Sequence, residues 1–138
     1  MQIQHPVILV SACLVGLCTR YDAKLKPSRH CLAMLNKTSW IPVCPEQLGG
    51  LPTPREAANI RGGDGDAVLN GIATVITKNG TDLTQEFIKG AKEIEKIVNL
   101  LHVEKAYLKA GSPSCAVADP IGVTAALLRR RGVELVEF

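Results

Sequence analysis

Three cysteines stand where apolar runs hand over to loops. Cys13 follows Val7-Ile8-Leu9-Val10, Cys44 closes Trp40-Ile41-Pro42-Val43, and Cys115 lies in the turn Gly111-Ser112-Pro113-Ser114-Cys115, just past Ala106-Tyr107-Leu108. In an open parallel sheet the carboxyl ends of the strands share one edge, and ligands bind there. Residues far apart in the chain would then converge on one point. Converging thiolates are soft donors that suit zinc or an iron–sulfur cluster. A structural zinc site commonly takes four nitrogen or sulfur ligands, often from CxxC pairs. The chain has no CxxC, and His5, His30 and His102 fall in no ligand-like spacing. Three thiolates without an obvious fourth donor suit a [4Fe–4S] cluster with one iron free of protein, and such an iron is a Lewis acid with affinity for sulfur. The opposing reading is that each cysteine is a small buried hydrophobe. That is the preferred reading of Cys31, beside Leu32 in an expected helix. Cys18, five residues after Cys13, completes no ferredoxin-type run and stays open.

Other side chains near these cysteines could move protons. Glu46 comes two residues after Cys44. A carboxylate in a low-dielectric pocket suits acid–base work, although the residue alone reads more readily as an ordinary loop glutamate. Ser112 and Ser114 flank Pro113, where their hydroxyls could face a substrate or cap a turn. Arg129-Arg130-Arg131 is expected to complement a helix dipole. Gly62-Gly63-Asp64-Gly65 is not a phosphate-binding fingerprint.

The elements that must position these groups follow from composition and pattern. A chain of 138 residues supports one domain, read as 1–138, and 46% apolar residues provide a real core. A net charge of +3 is too mild to announce a nucleic-acid binder. Five cysteines, an odd count, argue against a secreted disulfide framework. Val10-Ser11-Ala12-Cys13 resembles a lipoprotein box, but residues 1–5 carry no Lys or Arg, and no apolar stretch reaches the ~20 residues of a membrane span. The expectation is a cytoplasmic protein with reduced thiols and no membrane partner.

The apolar run over 7–10 reads as a strand buried on both faces. Ser28 caps a short helix over 29–36. Strands follow at 40–43, 72–76, 106–108 and 133–136. Asp82 and Gln85 open a helix over 83–101 with apolar residues at helical spacing, and a last helix over 122–131 ends at Gly132. The stretch 45–71, rich in glycine and proline, reads as a long functional or mobile loop. Alternating β and α elements predict an α/β fold: a single compact domain with a mostly parallel, Rossmann-like sheet flanked by helices and the cluster site at the carboxyl ends of the strands.

The motifs carry a resemblance as well. Val10-Ser11-Ala12-Cys13-Leu14-Val15-Gly16, Arg20-Tyr21-Asp22, Pro42-Val43-Cys44-Pro45-Glu46-Gln47-Leu48-Gly49-Gly50-Leu51 with Thr53-Pro54-Arg55, Leu108-Lys109 with Ser112-Pro113-Ser114-Cys115, and Gly122-Val123-Thr124-Ala125-Ala126-Leu127-Leu128-Arg129 resemble the thiouracil desulfidase (TudS-like) family across almost the whole chain. The resemblance implies a [4Fe–4S] cluster held by Cys13, Cys44 and Cys115, with Glu46 as acid–base catalyst and Ser112 as the active-site serine. It implies a non-redox enzyme that converts a thiolated pyrimidine such as 2-thiouracil to its oxo form and releases sulfide. A small thiolated base or nucleoside is favoured over tRNA. The chain departs from the family after Cys115, where Ala116-Val117-Ala118-Asp119-Pro120 replaces a longer, glycine-containing segment. That departure keeps a non-catalytic iron–sulfur or sulfide-binding protein in view as an alternative, and a zinc-stabilised interaction domain is a further one.

Overall fold

The computed structural model describes residues 6–138. His5 and the segment 1–5 weighed for a signal sequence lie outside the described residues. Strands β1 (Val7–Ser11), β2 (Ser39–Val43), β5 (Lys105–Leu108) and β6 (Glu134–Glu137) form one fully parallel sheet in the order β2-β1-β5-β6. The register aligns Leu9 with Ile41 on one side and with Ala106 on the other, and Ala106 with Leu135. From β1 the chain moves outward to β2, and from β5 outward to β6. The direction of winding therefore reverses between β1 and β5, which makes their carboxyl ends the natural binding crevice.

The alternation of side chains along β1 and β5 explains the continuous apolar runs. Leu9, Ala106 and Leu108 face a core that also holds Ile94 and Val98 of helix α4 (Thr84–Leu101) and Ala125 and Leu128 of helix α5 (Val123–Arg130). Ile8, Val10 and Tyr107 face the opposite side, against Cys31 and Leu35 of helix α1 (Arg29–Leu35). Both faces are covered, so the strands need no polar face. The helix starts follow local chemistry. Ser28 Oγ caps α1 by accepting from the Cys31 N–H at 3.1 Å, whereas α4 starts at Thr84 with Leu83 as its cap residue and no side-chain cap. Asp82 Oδ1 accepts from the Thr84 N–H at 2.8 Å one residue ahead of the cap, and the expected capping box of Asp82 and Gln85 does not form. Between them, α1, α4 and α5 supply the flanking layers that the βα alternation predicts.

Two parts of the chain depart from the sequence reading. The stretch 45–71 is not one loop. It contains helix α2 (Pro45–Leu48), strand β3 (Ala58–Arg61) and helix α3 (Gly65–Leu69). The expected strand over 72–76 is β4 (Thr74–Thr77), and it pairs antiparallel with β3 in a separate two-stranded ribbon. Ile72 and Ala73 are not extended, because their N–H groups bond the Ala67 carbonyl and close the end of α3. The ribbon has its own core of Val68, Ala73, Val75 and Val123, shared with Phe87 and Ala91 of α4. One long helix thus bridges both sheets, its first half on the ribbon and its second half on the parallel sheet.

The arginine run has a contact role beyond a dipole. Arg129 and Arg130 both pair with Asp66 of α3, and Arg131 pairs with Glu95 of α4. Among the described residues no helix is long and apolar enough to cross a membrane.

Candidate functional site

The three cysteines expected to converge do so. Cys13, Cys44 and Cys115 line one cavity of about 340 Å³ at the carboxyl ends of β1, β2 and β5, together with Glu46, Arg55, Lys109, Ser112 and Ser114. Cys13 sits in the 3₁₀ turn Ala12–Val15 that follows β1 directly. Cys44 is the residue between β2 and α2, where Pro45 starts the helix. Cys115 is held by the loop after β5. Its N–H bonds Ser112 Oγ at 3.0 Å, and the carbonyls of Pro113 and Ser114 accept from the Val123 and Ala125 N–H groups. The cysteine loop therefore caps α5, whose own N-cap residue is a glycine without a side chain. A Cβ at Gly122 would stand 2.5 Å from the Ser114 carbonyl carbon, so only glycine permits this approach. Gly90 of α4 plays the same part for α2, since a Cβ there would overlap the Pro45 carbonyl oxygen.

Glu46 projects from α2 into a polar clasp. Its Oε1 accepts from Arg55 Nε at 2.9 Å and its Oε2 accepts from Ser114 Oγ at 2.9 Å. Ser114 Oγ also lies 2.9 Å from Ser112 Oγ, which accepts the Ser114 and Cys115 N–H groups at 3.1 and 3.0 Å. Counting protons orders this chain. Each hydroxyl has one hydrogen. The Glu46 carboxylate at 2.9 Å is a closer acceptor for the Ser114 hydrogen than Cys115 Sγ at 3.7 Å, and with that hydrogen on Glu46 it is Ser112 that donates to Ser114. Ser112, the serine expected at the active site, stands one bond behind Ser114, which is the hydroxyl that meets the carboxylate.

The thiol side carries the opposite electrostatics. Burial pushes the Cys115 thiol up to about 12, against the hydrogen bonds of Ser11 and Ser114 that lower it and the nearby Glu46 that raises it further. Burial also raises Cys13, opposed by the charges of Lys109 and Arg20. Arg20 is held by a two-pronged bond to Asp22 at 3.0 and 3.1 Å, which depresses the Asp22 carboxyl. Lys109 is fixed through its backbone, which donates to Ser11 Oγ at 3.0 Å. Cys31 is fully buried on the inner face of α1, as expected, and Cys18 is exposed. His30 packs edge-on against Phe138 with ring centroids 5.3 Å apart, and His102 ends α4 in a left-handed conformation; neither lines the cavity.

The donor set fits a cluster better than a single ion. All five thiols are free, so no disulfide competes for them. Among the described residues no three His, Cys, Asp or Glu side chains close on one ion-sized point. The three thiols instead line one cavity, as ligands to a body with several irons would, and among the described residues no histidine or fourth cysteine lines it to complete a zinc tetrahedron. Bound iron would override the raised thiol values, because coordination deprotonates the sulfur.

Sequence reasoning gave no role to Arg55, Lys109 or Thr19. Arg55 was visible only as the end of the Thr53-Pro54-Arg55 motif. Its link to Glu46 depends on the fold of 45–61, which carried no periodic signal. Asn59, exposed on β3, also reaches the cavity wall.

These features define an α/β protein with a thiol-lined cleft at the switch point of a parallel sheet and a carboxylate–serine pair in its wall. Comparison with known proteins narrows the class. A family model described as 2-thiouracil desulfurase matches residues 8–137. The chain belongs to the 2-thiouracil desulfurase family. It is 35% identical over 142 aligned positions to the uncharacterized protein YbbK of Bacillus subtilis (strain 168), covering 94% of each chain. The solved structure of the [4Fe-4S]-dependent thiouracil desulfidase TudS superposes with a TM-score of 0.78 at 35% identity, covering 96% of this chain and 90% of that one.

Proposed function

We propose that this chain is a [4Fe–4S]-dependent desulfidase. It would replace the sulfur of a thiolated pyrimidine such as 2-thiouracil by oxygen from water and release hydrogen sulfide, with no net electron transfer. Family membership and the likeness to a [4Fe-4S]-dependent thiouracil desulfidase support this reading over a sulfide carrier or a zinc-stabilised module. The observation that carries it is one cavity lined by Cys13, Cys44 and Cys115 and by a hydrogen-bonded Glu46.

Cys13, Cys44 and Cys115 would hold the cluster. When bound, it supplies a Lewis-acidic iron and an acceptor for sulfur. Glu46 does the proton chemistry. Arg55 fixes Oε1, which leaves Oε2 to take a proton from water as that water attacks the carbon of the thiocarbonyl. Ser114 Oγ, already hydrogen-bonded to Oε2, holds the carboxylate in register and relays the proton that Glu46 took from water to the departing sulfur as the carbon–sulfur bond breaks. The remaining hydroxyl proton follows, so that the sulfur leaves as hydrogen sulfide and the carbon keeps the oxygen. Ser112 keeps Ser114 oriented by donating to it while accepting two backbone N–H groups.

The cavity is sized for a base or nucleoside, and five reduced thiols suit a reducing compartment such as the cytoplasm. Anaerobically reconstituted protein is expected to release sulfide from 2-thiouracil in step with the loss of its thiocarbonyl absorbance. A fully loaded protein that turns over no thiolated base or nucleoside would overturn the reading.

A further inference from the structure

One guanidinium touches both walls of the cleft. Arg55 is almost wholly buried, its side chain 6% exposed. Its Nε donates to Glu46 Oε1 at 2.9 Å, its Nη1 to Pro52 O at 3.1 Å and Thr53 Oγ1 at 2.8 Å, and its Nη2 to Thr19 O at 2.8 Å and Cys44 Sγ at 3.9 Å. An arginine has five N–H bonds, and here they meet five acceptors. The Thr19 carbonyl that takes Nη2 also accepts the Cys44 thiol at 3.8 Å. Once Cys44 is a thiolate it has no proton for that carbonyl, and the Arg55 Nη2–H is the donor left beside its sulfur. Charge neutralisation of Glu46 alone would not require this fork, because a lysine supplies the same charge.

We propose that Arg55 tunes the cluster as well as positioning the base, an inference that rests on the cluster reading above. A positively charged N–H donor on a ligating sulfur draws electron density away from the metal centre and raises its reduction potential. The same withdrawal makes an open iron a better acceptor for the soft, electron-rich sulfur of a thiocarbonyl. Arg55 thereby joins the acceptor strength of the metal centre to the alignment of Glu46 through one side chain. It is a positioning and tuning residue and touches no reacting atom.

The test compares wild-type protein, Arg55→Lys and Arg55→Gln, each reconstituted anaerobically to equal iron per chain. Spectroscopic redox titration and titration with sodium hydrosulfide are read on each. Arg55→Gln is expected to shift the one-electron reduction equilibrium about tenfold toward the oxidised state, ~59 mV lower, and to bind hydrosulfide about tenfold more weakly. Arg55→Lys, which keeps the charge and loses the fork, is expected to fall between. A purely structural role would lower iron retention and leave the potential of loaded protein where it was. Equal potentials in loaded wild type and Arg55→Gln overturn the inference. Should Arg55→Gln hold no iron, Arg55→Lys decides alone, and a wild-type potential in that variant overturns it. Wild-type protein that holds no iron overturns this inference and the cluster reading together, whereas a loaded wild type without desulfidase activity overturns the reaction only.

Discussion

The two walls of the cleft are built on different principles. The wall formed by Glu46, Arg55, Ser112, Ser114 and Thr19 is saturated with hydrogen bonds of 2.8 to 3.1 Å and is complete in the protein alone. The wall of thiols is different. The Cys44 and Cys115 sulfurs make long contacts of 3.7 to 3.9 Å, and burial favours the protonated form of Cys13 and Cys115. Strand ends and loop carbonyls fix where these sulfurs are, and metal binding must supply the energy that removes their protons. In the proposed reaction the groups that move protons would thus be preorganised by the chain, while the sulfur chemistry would depend on what the thiols hold.

Damage to one wall should therefore leave the other readable. The largest effect is expected from Cys115→Ala, which removes a proposed ligand and should abolish iron retention, measured as iron and acid-labile sulfide per chain after anaerobic desalting. Full iron content in that variant breaks the assignment of the thiol wall. Glu46→Gln is isosteric and should keep the iron while lowering kcat by ~10²–10⁴, the range of a lost general acid–base. Loss of iron in Glu46→Gln would mean that the two walls are not separable.

Alanine at the two serines sharpens the comparison further. Ser114→Ala removes the hydroxyl that meets Glu46 and should lower kcat. Ser112→Ala frees two loop N–H groups and should cost about 1 kcal/mol in denaturant unfolding, with a smaller effect on kcat. The reverse ranking of kcat would return the active-site role to Ser112.

The smallest effect expected is on stability at high pH. An unfolded cysteine ionises near 9.0, whereas burial pushes Cys31 to about 11 and Cys115 to about 12. The unfolded chain therefore loses these protons first. The stabilisation from neutral thiols is complete below pH 9 and declines as pH rises from about 9 toward 12. Metal-free protein should show that decline in urea midpoints measured across pH 8 to ~10.5. Loaded protein should show less of it, because of the thiols raised by burial only Cys31 is then free of metal. Equal slopes for the two forms would contradict the thiol assignment.

The difference between the walls also explains how much the sequence could reveal. The thiol wall was legible because each cysteine follows a short apolar run, and parallel strands bring such residues to one edge regardless of what lies between. The continuous runs at 7–10 and 106–108 are apolar because both sheet faces are covered, and that signal is strong. The polar wall was only half legible. Glu46 and the two serines stand beside cysteines and could be named. Arg55 reaches Glu46 through α2, and the turns before β3 lie in a segment whose short elements show no hydrophobic period. Strand β3, and with it the pairing that makes the ribbon, was missed for the same reason. Strand β3 is Ala58-Asn59-Ile60-Arg61, with one large apolar residue, and it is held by pairing with β4 and by Ala58 and Ile60 packing on the ribbon core. The roles of the two serines turn on which single proton goes where, and composition does not encode that.

The central claim is that Cys13, Cys44 and Cys115 jointly hold a four-iron cluster with one iron open to the cleft beside Glu46. Mössbauer spectroscopy of ⁵⁷Fe-reconstituted protein, before and after hydrosulfide is added, addresses it most directly. The account predicts a [4Fe–4S] signal in which one iron of the four responds to hydrosulfide and the other three do not. A signal that hydrosulfide leaves unchanged, or a protein that takes up zinc and no iron under the same conditions, would contradict it.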